Sequence, residues 1–216
     1  NDTDVATANI FNAGQVYTPG GTDRINSLQD EDVLTGVGTT PTLNATLGNA
    51  NDNGATIITP KLTGIAVINA AFTGSGGGVT ALDLQDGGVA INQVNITRIS
   101  QAVNTAEIGN IMSSAPTLSL KDTNANATGV AEFSYGANVL KGANTGTIDI
   151  SNVQINALNI GENTSGIAAR GVGFNGFEYL TVNSIGSAAN TIGNLNLPMD
   201  TGTDGKITIT GSKNLT

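Results

Sequence analysis

Asp23, Asp30, Glu31 and Asp32 are the densest group of carboxylates in the chain, within Gly20-Gly21-Thr22-Asp23-Arg24-Ile25-Asn26-Ser27-Leu28-Gln29-Asp30-Glu31-Asp32-Val33-Leu34. The chemistry open to such a group is binding of a hard divalent cation. Calcium (Ca2+) takes roughly six to eight oxygens from carboxylates, carbonyls and water. Asp2 and Asp4 add two carboxylates if the start of the chain folds back onto this stretch. The same residues equally make an exposed acidic turn, and both readings stand at this point. Asp83 with Asp86, Asp122 with Asn124 and Asn126, and Asp200 with Asp204 are lesser groups. Each lies in a Gly/Asn-rich turn, where Asp is common for conformational reasons, so an ordinary turn is expected there.

Other chemistries find little to use. The chain has no His and no Cys, which removes the usual triads and thiol nucleophiles. A paired-carboxylate, polysaccharide-active β-helix enzyme is one alternative, but no pair of acids carries a motif, and aromatics are only 4% for stacking on sugars. Gly74-Ser75-Gly76-Gly77-Gly78 lacks the Lys of a phosphate loop and reads as a turn. The expectation is that the chain is not an enzyme.

Charge narrows the partners. The formal net charge is −9, with eight Lys plus Arg. No basic patch exists to neutralise phosphates or an anionic bilayer, so nucleic acid is not an expected partner. No apolar run is long enough for a membrane helix, so no membrane insertion is expected. The chain starts at Asn1-Asp2-Thr3, without an initiating Met or a leader. It is read as a piece of a larger chain, or as one exported by a signal located elsewhere.

The elements that must position the acids are short strands. Hydrophobic residues are 38% of the chain, but charged residues are only 12%, about half the usual share. Gly, Asn, Thr, Ala and Ser fill the gap. Runs such as Val67-Ile68-Asn69-Ala70-Ala71-Phe72, Val94-Asn95-Ile96-Thr97, Thr147-Ile148-Asp149-Ile150, Phe177-Glu178-Tyr179-Leu180-Thr181-Val182 and Lys206-Ile207-Thr208-Ile209-Thr210 mostly alternate apolar with polar, the pattern of half-buried strands. Their polar alternates are mostly Thr, Asn and Ser. That suits strands stacked in register, where like charges would repel along each ladder. Residues 100–113 are read differently, as a weak amphipathic helical turn or two after Ser100 as N-cap. The expected fold is all-β, an irregular right-handed parallel β-solenoid with a thin aliphatic core. A β-sandwich is the alternative. Residues 1–40 are assigned to an acidic, calcium-binding N-terminal segment and residues 41–216 to the solenoid.

Two stretches carry a resemblance. Lys61-Leu62-Thr63-Gly64-Ile65-Ala66-Val67-Ile68-Asn69 resembles a recurrent phrase of calcium-dependent bacterial surface-layer proteins. Asn175-Gly176-Phe177-Glu178-Tyr179-Leu180-Thr181-Val182 is a closer copy, with the Glu of that phrase at Glu178 where the first copy has Ala66. Gly20-Gly21-Thr22-Asp23 and Asp32-Val33-Leu34 are similar to the repeats-in-toxin (RTX) calcium phrase, and the nine-residue step from Asp23 to Asp32 matches the nonapeptide period of such repeats. Together they look like the lattice-forming region of Caulobacter-type S-layer proteins. The resemblance implies secretion to the bacterial cell surface, calcium between strands and lattice contacts, and self-assembly into a homo-oligomeric lattice or filament. Other parts of the same chain and a cell-surface polysaccharide are further implied partners. Ser27-Leu28-Gln29-Asp30-Glu31 stands where the repeat has its glycines, so one or two irregular calcium sites are expected. An adhesin or stalk segment that binds a surface glycan or protein is the alternative function.

Overall fold

The computed structural model describes residues 5–21, 23–49, 56–74, 78–100, 103–123, 126–162, 175–198 and 205–216. Asp2, Asp4, Asn124, Asp200 and Asp204 lie outside the described residues. Among the described residues the chain forms strands and no helix. In order these are β1 (Val5–Ala8), β2 (Ile10–Ala13), β3 (Gln15–Tyr17), β4 (Arg24–Asn26), β5 (Val33–Gly36), β6 (Thr42–Asn49) and β7 (Thr56–Ile58). Then come β8 (Lys61–Thr63), β9 (Val67–Gly74), β10 (Val79–Asp83), β11 (Gln93–Ile99), β12 (Thr105–Ile111) and β13 (Thr117–Lys121). The series closes with β14 (Asn126–Tyr135), β15 (Thr145–Ser151), β16 (Gln154–Glu162), β17 (Tyr179–Ile185), β18 (Thr191–Asn196) and β19 (Lys206–Gly211).

Successive passes of the chain lay one strand on each sheet. The largest sheet has eight strands, β2-β6-β9-β11-β13-β15-β17-β19, beside a six-stranded sheet, β7-β10-β12-β14-β16-β18. Near the start β1, β5 and β8 make a three-stranded third face. Every pairing within these sheets is parallel. Among the described residues only the small hairpin β3–β4 is antiparallel. This is an all-β parallel solenoid. A sandwich would need antiparallel faces, which the described residues do not build.

Register turns the alternating pattern into columns. In the large sheet Phe11, Leu43, Ile68, Val94, Leu118, Ile148, Val182 and Ile209 are consecutive partners. All but the last are buried. Across the core, Ile58, Leu82, Ile108, Phe133 and Ile160 form a facing column in the six-stranded sheet and are buried too. These columns are the thin aliphatic core that the composition implies. Burying an aliphatic side chain of this size stabilises by about 1.5–3 kcal/mol, so repeated rungs can replace a thick aromatic centre.

Two details depart from expectation or extend it. Residues 105–111 are strand β12, held between β10 and β14, and not helical turns. Both faces of this strand are buried, so its apolar residues do not alternate and a helical spacing emerges by accident. Ladder bonds on both sides then override a weak local preference. The first 40 residues contribute β1, β2 and β5 to the stack, so parallel pairing is already under way before residue 41.

Candidate functional site

The acidic stretch forms one end of the solenoid. Its glycines at 20 and 21 take positive φ, 115° and 77°, which closes the turn between β3 and β4. Thr18 N–H donates to the Asp23 carbonyl at 2.8 Å. Arg24 crosses the hairpin with its guanidinium 5.4 Å from the Tyr17 ring centre. The chain then passes beneath β7. There Leu28 is buried, 2% exposed, while Asp23 and Asp30 face outward and Glu31 is half-buried. The Asp30 carboxylate accepts from Thr59 N–H at 2.8 Å. Asp32 is 3% exposed. Its carboxylate accepts from Gln29 N–H at 2.9 Å, and its carbonyl accepts from Lys61 N–H at 2.9 Å.

The four predicted carboxylates thus line one loop, and two of them hold backbone donors. Among the described residues no three His, Cys, Asp or Glu side chains are grouped so as to hold a metal ion. The arrangement works as an end cap: an apolar plug, Leu28, under a polar outer layer, the form that terminal solenoid repeats take. Of the lesser groups, Asp83 is buried, and its carboxylate accepts from Gln85 N–H at 2.9 Å and Asn110 Nδ2 at 2.8 Å. Asp122 accepts from Asn152 Nδ2 at 3.1 Å. Both Asp122 and Asn152 sit at positive φ, 49° and 57°, where Asn and Asp are tolerated as corner residues.

Sequence reasoning missed a set of buried acids. Glu107 and Glu132 are register partners in the six-stranded sheet, both buried, and Ser134 Oγ donates to Glu107 at 3.3 Å. The available signal was the repeat of Ala106-Glu107-Ile108 in Ala131-Glu132-Phe133, acids inside strands and not in turns. Glu162 and Glu178 hold the corner at 136–144. Glu162 accepts from Leu140 N–H and from Asn175 Nδ2, each at 2.7 Å. Glu178 accepts from Asn144 N–H at 2.6 Å. Charge-assisted bonds of this kind are about twice as strong as neutral ones, so these carboxylates fasten a corner. The Glu178 of the surface-layer-like phrase is one of them.

The face of the large sheet turned away from the core carries a regular polar column, whose middle members Asn95 and Ser119 are buried. Asn12, Asn44, Asn69, Asn95, Ser119, Asp149, Asn183 and Thr210 are consecutive partners along it. Asn44 donates to Asn12 at 2.9 Å, Asn69 to Asn44 at 2.8 Å and Asn95 to Asn69 at 2.7 Å. Asn183 donates to Asp149 at 2.9 Å. The run breaks at Ser119, whose buried hydroxyl has no hydrogen-bond partner among the described residues. Asp149 is the one ionisable member, flanked by neutral residues. A shallow depression of about 420 Å³ lies over Asn12, Asn44 and Asn69, walled by Thr46, Ala71 and Thr97. A second, also about 420 Å³, lies between the acidic loop and β7, edged by Arg24, Asp30 and Glu31. Both are open to solvent, and neither brings together a nucleophile, a base and an oxyanion donor. No family model matches the chain, and comparison with curated proteins and with solved structures likewise returns no match.

Proposed function

We propose that the chain is a structural segment of a self-assembling extracellular layer at the bacterial cell surface, a rigid solenoid unit that holds position and turns over no substrate. The observation that supports this most is the outer face of the large sheet. Asn12, Asn44, Asn69 and Asn95 are tied in one run along it and Asn183 to Asp149 in another, so much of the face is ordered in advance, and Asp149 is the one charged member of the column. Such a plate suits repeated lateral contact, because docking orders few additional side chains. Calcium belongs to the proposal through the nine-residue spacing of Asp23 and Asp32, with Asp30 and Glu31 on the same loop as further ligands. Electron microscopy of the purified chain with calcium and with chelator tests both parts. Ordered arrays that need calcium support the reading. Arrays that persist in chelator remove calcium from it, and dispersed particles under both conditions overturn the layer.

The depression over Asn12, Asn44 and Asn69 favours one second reading, a stalk or adhesin segment. Its row of amides presents donors and acceptors to the hydroxyls of a surface glycan. Binding on a glycan array by a chain that forms no assembly would select this reading.

A further inference from the structure

The corner between β14 and β15 is held by two acids from later passes of the chain. Glu162 ends β16 and Glu178 immediately precedes β17. They are 0% and 3% exposed. Glu162 Oε1 accepts from Leu140 N–H and Glu178 Oε2 from Asn144 N–H, so the two carboxylates grip the two ends of one turn, 140–144. Asn144 Nδ2 closes that turn from within by donating to the Leu140 and Gly142 carbonyls, each at 2.7 Å. The partners of both carboxylates among the described residues are neutral amides. Lys141, the basic residue of the turn, is exposed. Buried charges are otherwise paired or bind metals. Glu178 keeps one oxygen with no such compensation. Its Oε1 is buried and has no hydrogen-bond partner among the described residues. Oε2 of the same carboxylate is the atom bonded to Asn144, so Oε1 is held in this corner too.

We propose that this corner is a binding site for a calcium-sized divalent cation, with Glu178 Oε1 as its anchoring ligand and Glu162 as its second carboxylate. The Leu140 and Gly142 carbonyls each keep a lone pair beyond the bond to Asn144 Nδ2 and supply further oxygens. Two acids with turn carbonyls suffice, so no third acid is called for. The donor set is all oxygen, which selects a hard cation. Burial selects calcium over magnesium, because magnesium sheds its waters reluctantly and demands strict octahedral geometry. Calcium accepts mixed carboxylate and carbonyl sets at flexible angles. The ion joins the end of β16, the approach to β17 and the turn before β15 at one point. It also offsets two buried charges that amides alone leave uncompensated. The site is distinct from the acidic loop at 23–32 and does not rest on the layer reading.

The test uses the full chain, stripped with chelator and titrated with calcium chloride, with calorimetry giving the dissociation constant. Amide hydrogen exchange is then read at the turn. At free calcium about a hundredfold above that constant, opening of the turn should be suppressed about a hundredfold, with the Leu140 and Asn144 amides slowed most. Asp30→Asn with Glu31→Gln removes the ligands of the acidic loop and should leave this response intact. Glu178→Gln keeps the size of the side chain and an acceptor for Asn144 N–H. It should abolish the response while exchange in β11 and β13 stays that of the parent. If Glu178→Gln fails to fold, the parent and the loop variant still decide the matter. Exchange at 136–144 that is the same in calcium and in chelator overturns the proposal. So does a calcium response that vanishes in the Asp30→Asn/Glu31→Gln chain, or one that a folded Glu178→Gln chain retains in full.

Discussion

Replacing Asn69 by Ala cuts the polar column of the large sheet in its most continuous part. Asn69 donates to Asn44 at 2.8 Å and accepts from Asn95 at 2.7 Å, so two neutral hydrogen bonds are lost. Each contributes about 0.5–1.5 kcal/mol net. The Asn44 carbonyl oxygen is in a half-buried residue and can turn to water. Asn95 is 4% exposed; its amide nitrogen keeps the longer bond to the Ile68 carbonyl, 3.2 Å, and its oxygen accepts from Gln93 Nε2 at 3.4 Å. The two losses sum to about 2 kcal/mol, which for a chain of this length lowers Tm by about 4–8 °C. Asn12→Ala, at the exposed end of the same column, removes one bond beside solvent and is expected to cost about 0.5 kcal/mol. Urea denaturation with calorimetry reads both. The double variant Asn44→Ala/Asn69→Ala should cost less than the sum of its single variants, because they share a bond. An Asn69→Ala chain within about 0.5 kcal/mol of the parent, or an Asn12→Ala chain equally destabilised, would refute the idea that the column acts as a connected ladder.

The remaining predictions concern the core and corners. The buried Tyr135 hydroxyl has no hydrogen-bond partner among the described residues, so Tyr135→Phe should leave stability unchanged or raise it by up to about 1 kcal/mol at neutral pH in urea titrations. Burial also pushes that hydroxyl above the ordinary tyrosine range. The folded chain keeps its proton where the unfolded chain starts to lose it, near pH 10. The resulting stability is whole below that pH and declines above it, and Tyr135→Phe should flatten the alkaline fall in denaturation midpoint. Asn138 is exposed with φ of 64°, so Asn138→Ala should cost about 1–2 kcal/mol while Asn138→Gly stays close to the parent. A Cβ at Gly146 would lie 2.8–2.9 Å from the Phe177 ring, which is itself packed edge-on against Tyr135 at 5.4 Å. Gly146→Ala should therefore destabilise by about 1–3 kcal/mol in the same titrations.

Much of the fold was legible because one face of most strands meets the core and the other meets water. Thr147-Ile148-Asp149-Ile150 and Lys206-Ile207-Thr208-Ile209-Thr210 show that alternation openly, and their polar members stack as the choice of Thr and Asn suggested. Strand β12 was not legible, since burial of both faces erases period two. Nor was the partner of each strand, because passes of unequal length separate them and no spacing announces register. The site shows the same division. The carboxylates at 23–32 stand out by composition, but nothing local signals that Leu28 beside them is the buried plug. Glu162 and Glu178 fasten backbone donors 22 and 34 residues away, a pairing that only the stacked corners create.

Amide hydrogen exchange, read peptide by peptide, tests the account of a stacked solenoid with the acidic loop fastened onto it most directly. Exchange slows where ladder bonds and burial protect the backbone. The account predicts strong protection in β11, β13, β15 and β17, and protection of the main chain at Asp32 and Lys61, where the acidic loop meets the stack. Strands β11 to β17 that exchange freely, or an acidic loop that exchanges like an unfolded segment, would contradict it.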